Sequence, residues 1–189
     1  MYYFSTDKNK NELELLPLEP NLVPVNPELD AVGEQEEEDE FISFGQPVSQ
    51  RDLRSVAFHL VYAVDRSEYQ LSLQTIFTDL NQHYDLGLTE HSFAYALARG
   101  AVDARDALDA QIKPFLKNWE FDRIGCCTKL ILRMALWEMQ QPHAVSSIVI
   151  NEAIELAKNF AEKDAYKFIN GLLDEFCKAR ASEAFIVRN

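Results

Sequence analysis

The sequence predicts an all-α domain. From residue 50 onward, apolar residues recur at three- and four-residue spacing. No segment alternates apolar and polar residues with period two, and Gly87 and Pro142 fall at the ends of periodic stretches.

The elements follow in order. Ser49 can cap a helix that starts at Gln50 and carries Leu53, Val56, Ala57, Leu60, Val61 and Val64 on one side. A second helix is expected over Tyr69 to His83, with Leu73, Ile76, Phe77 and Leu80 inward. Gly87 breaks the chain, and Thr89 begins one long segment. Its inward face is Phe93, Ala96, Leu97, Gly100, Ala101, Leu108, Ile112 and Leu116, with Pro114 ending or kinking it. A fourth helix is expected from Arg123 to Gln140. Ile124, Leu130, Ile131, Met134, Ala135, Leu136 and Trp137 make it apolar on more than one side, as for a central helix. Pro142 closes it. Ser146 or Ser147 is expected to cap the next helix, which carries Val149, Ile150, Ala153, Ile154, Leu156, Ala157 and Phe160. Asp164 is expected to cap the last, with Phe168, Ile169, Leu172, Leu173 and Phe176 inward. This makes at least six helices in one domain, without internal repeat.

The charge is unevenly spread. The 189 residues carry a formal net charge of −13. Residues 1–48 hold twelve acidic and two basic residues, including the run Glu34 to Glu40, and prolines at 17, 20, 24, 27 and 47. That composition predicts a disordered acidic extension. The helical domain is expected over 49–180, with a short tail over 181–189. Residues 49–189 hold nineteen acidic and sixteen basic residues, so a local basic face is compatible with the composition. The acidic run is close in sequence to Arg51 and Arg54, and it can compete there with another polyanion.

Several classes of function find no support. No apolar run approaches the ~20 residues that span a bilayer. The start Met1-Tyr-Tyr-Phe-Ser lacks the basic and apolar parts of a secretory signal, so a cytoplasmic location is expected. Cys126, Cys127 and Cys177 form no C-x-x-C and predict reduced thiols. His59, His83, His91 and His143 are scattered over different elements, without metal-ligand spacing. There is no nucleophile elbow and no phosphate-binding glycine loop. Glu152 and Glu155 suit the helix dipole better than acid–base chemistry. No catalytic residue, cofactor or metal is expected.

Two groups of polar residues stand out. Asn151, Asn170 and Gly171 are poor helix formers inside helical stretches. They serve either packing within the helix pair or the approach of a partner. Arg51 and Arg54 lie one turn apart, with Tyr62 two turns beyond Arg54. Arg grips phosphate bidentately and Tyr stacks on unpaired bases, although two arginines on a helix also suit a solvated face.

Four stretches carry a family resemblance. They are Arg54-Ser-Val-Ala-Phe-His-Leu-Val-Tyr62; Gly100 to Trp119; Leu130-Ile-Leu-Arg-Met-Ala-Leu-Trp-Glu138; and Ile150-Asn-Glu-Ala-Ile-Glu-Leu-Ala to Asp174. Together, over about residues 50–178 and in order, they resemble the NusB family of transcription antitermination factors. The resemblance implies six to seven helices arranged as two small helical subdomains, without enzymatic activity. It implies binding of boxA-type leader RNA together with the ribosomal protein NusE, in support of ribosomal RNA transcription. Contact with other antitermination factors and RNA polymerase would be indirect, and a homodimer is also compatible. Carried over by position, it assigns RNA contacts to Arg51, Arg54, His59, Tyr62, Asp164, Lys167 and Phe168. It assigns the NusE side to Glu138, Asn151 and Glu152. Gln50 and Asp52 interrupt the basic start, and Ser146 stands where the family commonly has Pro. The alternative is therefore a NusB-fold interaction module with weak or lost RNA binding.

Overall fold

The computed structural model describes residues 49–116 and 120–186. Residues 1–48, the expected acidic extension, lie outside them. Among the described residues there are seven α-helices and no strand. They are α1 (Gln50–Arg66), α2 (Leu73–His83), α3 (Phe93–Asp103), α4 (Arg105–Ile112), α5 (Cys126–Met139), α6 (Ser146–Phe160) and α7 (Ala165–Ile186).

Local chemistry explains most boundaries. Ser49 caps α1 in a full capping box: its hydroxyl accepts from the Asp52 N–H, and the Asp52 carboxylate accepts from the Ser49 N–H. Helix α2 starts at Leu73 rather than Tyr69. Glu68 and Tyr69 turn into the left-handed region, at φ 51° and 61°, and Ser72 supplies the cap. The Tyr69 ring is held there under the Arg105 guanidinium, 4.4 Å from its centroid.

The long segment from Thr89 divides into two helices. Ala104, at φ −95° and ψ 13°, bends the chain between α3 and α4. The bend directs α4 against α5, where Asp109 receives two hydrogen bonds from buried Arg133, at 2.7 and 2.9 Å. Pro114 falls in a 3-10 turn just after α4. Gly125 caps α5, which starts at Cys126 rather than at the expected Arg123; Arg123 instead ends another 3-10 turn, Phe121–Arg123.

Neither serine caps α6. Val145 occupies the cap position and Ser146 is the first helical residue, without a side-chain cap bond. Asp164 precedes α7 in the left-handed region at φ 66°, and its carbonyl accepts from the Lys167 N–H. Helix α7 continues to Ile186, so the boundary expected at 180 falls inside it.

Helix α1 packs chiefly on α3, and α6 chiefly on α7. Helix α5 touches α1, α3, α4, α6 and α7. Every residue from Leu130 to Leu136 is buried, which explains why its sequence is apolar all round. One core runs through both groups, centred on Leu60, Leu97, Leu130, Leu132, Leu136, Ile169 and Leu173. Each fully buried leucine contributes about 1.5–3 kcal/mol. At the α3–α5 crossing, a Cβ on Gly100 would meet the Trp137 ring at 1.8 Å, so this glycine permits the close approach.

Candidate nucleic-acid interface

Helices α1 and α6 lie side by side and run in the same direction. Arg51 meets Glu152 at one end and His59 meets Phe160 at the other, each pair 101 residues apart in sequence. Eight residues of helix separate the two contacts, about 12 Å at 1.5 Å per residue.

At the first end, four charged groups compensate one another. Arg51 donates to Glu152 through Nη2 at 3.0 Å and Nε at 3.3 Å. Its side chain is 59% exposed, whereas that of Glu152 is 15% exposed. The hydrogen bond from Arg51 to Glu152, followed by the carboxylate charge, raises the Arg51 pKa. Arg54 is instead inside the protein. It donates through Nε to Glu138 at 3.0 Å and through Nη1 to the Gln50 carbonyl at 3.2 Å. Phe93 lies against its guanidinium at 5.1 Å. Glu138 is buried too. Two residues expected at separate surfaces, one for RNA and one for NusE, are thus brought together in the core. Glu152 joins them, with Arg54 Nη1 at 4.0 Å.

At the other end the strip is aromatic. His59 is exposed, and its Nδ1 lies 2.7 Å from the Ser55 carbonyl. Its ring stands edge-on to Phe160, which stacks on Phe58 at 4.7 Å. Tyr62 is half-buried, 6.1 Å from Phe58. The chain then turns from α6 into α7. There Lys167 pairs with Asp164 at 2.8 Å, and that hydrogen bond raises the Lys167 pKa. Lys158 and Lys167 both lie near the Tyr166 ring, at 6.0 and 5.6 Å. Phe168 is half-buried beside them.

Sequence reasoning passed over Lys158 and Tyr166. The available signal was an aromatic and two lysines flanking one short turn, a combination that suits stacking and phosphate contact. Asn151, Asn170 and Gly171 are exposed, and nothing lies within 4 Å of a Cβ built on Gly171. Internal close packing is therefore not the reason for that glycine.

The remaining reactive groups are subdued. The Cys126 thiol is pushed up to about 12, first by burial and then by donating to Asp65 at 3.3 Å. Burial also raises Cys127. Among the described residues, no group of three or more His, Cys, Asp or Glu is placed to hold a metal ion, and no helix is long and apolar enough to cross a membrane.

Comparison with known proteins gives a consistent result. The family model described as the NusB family matches residues 51–178. Transcription antitermination protein NusB of Staphylococcus epidermidis is 37% identical over 127 residues, which is 67% of this chain and 96% of that protein. The protein of the same name from Leptospira biflexa is 42% identical over 98 residues, 50% of this chain and 70% of that protein. The solution structure of NusB from Aquifex aeolicus aligns with a TM-score of 0.57 at 25% identity, covering 70% of this chain and 90% of that one. A crystal structure of antitermination factors NusB and NusE in complex with dsRNA shares the fold. Its TM-score is 0.59 at 22% identity, over 68% of this chain and 96% of that one.

Proposed function

The chain belongs to the NusB family, and from that premise we propose that it is a transcription antitermination factor that binds boxA-type leader RNA together with NusE. The observation that carries this reading is the family match over residues 51–178, which covers α1 from Arg51, all of α6 and α7 as far as Lys178. No catalytic step belongs to it.

Within the strip, Arg51 and Lys167 are the exposed cations that take phosphate, and His59 and Tyr62 are the rings beside which unpaired bases lie. Asp164 and Phe168 orient the start of α7. Arg54 and Glu138 act from within, holding α1 against α5 so that Arg51 projects correctly. Of the positions nominated for NusE, Asn151 offers an open side chain, and Ile148, 52% exposed one turn earlier, extends it with apolar surface. Other antitermination factors and RNA polymerase are reached through the complex.

The test is a titration of boxA-type RNA with and without NusE, at two salt concentrations. Binding that strengthens with NusE and weakens with salt is expected. Absence of binding with NusE at low salt overturns the proposal. The second reading, an interaction module with weak RNA binding, is favoured by the carboxylates that already occupy Arg51 and Arg54. Capture of NusE without measurable RNA affinity would support it.

A further inference from the structure

We propose that Glu152 is a built-in competitor for RNA phosphate: it holds Arg51 in the free protein and yields it on binding, so that Glu152 sets RNA affinity. This rests on the reading above, that RNA binds at the α1 face. Arg51 contacts Glu152 through Nε and Nη2, the two donors with which an arginine also grips a phosphate side-on. The carboxylate therefore fills the same fork that a phosphodiester would fill, and both cannot occupy it together.

The exchange is feasible because of what lies behind Glu152. Arg51 is the exposed partner and Glu152 the sheltered one. When Arg51 swings out to phosphate, Glu152 keeps a second cation, Arg54 Nη1, at 4.0 Å. Arg54 is itself fixed by Glu138 and the Gln50 carbonyl, so it stays in place. The carboxylate is never left buried without a partner, which would otherwise oppose the exchange. Glu155 also lies near Arg51, but Lys158 holds it at 2.7 Å.

The experiment measures binding of the full chain with NusE to boxA-type RNA at low and physiological salt. Glu152→Gln keeps the shape and removes the charge. It should tighten binding roughly two- to fivefold at low salt, the range typical of an exposed ion pair, and less at high salt. Glu152→Asp, which retracts the carboxylate but keeps its charge, should give a smaller gain in the same direction. Arg51→Gln should weaken binding, and Glu152→Gln added to it should then do nothing. Asp174→Asn, on the exposed side of α7, should leave affinity unchanged. If Arg51→Gln weakens binding but Glu152→Gln does not tighten it, the inference fails and the functional reading stands. If Glu152→Gln tightens binding equally in the Arg51→Gln background, or Asp174→Asn tightens as much, the effect is general charge and the inference fails. If the parent chain binds no RNA with NusE, both fall.

Discussion

The Arg54 guanidinium and the Glu138 carboxylate, 84 residues apart in sequence, form a buried two-bond clamp between α1 and α5. Both side chains are about one-tenth exposed or less. Removing Arg54 leaves the Glu138 carboxylate uncompensated in the core, and removing Glu138 leaves Arg54 only the Gln50 carbonyl and the 4.0 Å contact with Glu152. Arg54→Ala or Glu138→Ala should each lower unfolding free energy by about 3–5 kcal/mol. The double change Arg54→Met with Glu138→Leu should recover most of that. Urea unfolding measures both, and a loss under ~1 kcal/mol for the single changes would contradict the clamp.

The two helical glycines Gly100 and Gly171 should respond in opposite directions. Gly100→Ala drives a methyl into the Trp137 ring and should destabilise by about 1–3 kcal/mol. Gly171→Ala meets nothing on an exposed helix and should stabilise by about 0.4–1 kcal/mol. Thermal melts of the two variants, compared with the parent, decide the matter. If Gly171→Ala stabilises the chain and yet weakens binding of RNA or NusE, that open patch is a contact surface.

Cysteine reactivity offers a check on the α1–α5 contact. A thiol raised to about 12 stays protonated at pH 8, and the thiolate is the nucleophile. Cys126 should therefore resist alkylation at pH 8 in the folded protein and react quickly in denaturant. Asp65→Asn removes one of the causes of that shift, so Cys126 should then alkylate faster. Peptide mass analysis after timed iodoacetamide exposure reads this directly.

Deleting residues 1–48 takes the formal net charge from −13 to −3. Less negative charge repels RNA less. Affinity should rise, most at ~0.01 M salt, where the Debye length is about 30 Å, and little at ~0.15 M, where it is about 8 Å. Equal affinity of the two chains at the lower salt would show that the extension has no electrostatic role.

The helical course of the chain was readable because periodicity is local. Ser49 marks the start of α1 by side-chain chemistry alone, whereas α5 starts at Cys126, three residues after the expected Arg123. The break at Ala104 was not readable: alanine favours helix, and the bend serves Asp109 meeting Arg133, a contact between distant segments. The fate of Arg54 was half-legible. It shares a helix face with Ala57, Val61 and Val64, as Glu138 does with Ile131 and Met134, and all of these are buried. A lone charge on an apolar face is a sign of a buried partner, but no local pattern says which residue that partner is.

The parallel pairing of α1 and α6 also bears on when the protein becomes competent. The first helix leaves the ribosome before its partners on α5 and α6 have been made. Glu138, Glu152 and Phe160 all belong to the last third of the chain. Synthesis of the intervening 101 residues takes about 5–20 s at ~5–20 residues per second. Until then Arg51 has no carboxylate beside it and His59 has no ring to lean on. A nascent or truncated chain therefore carries the first helix without the face it helps to form, and the strip exists only on a finished molecule.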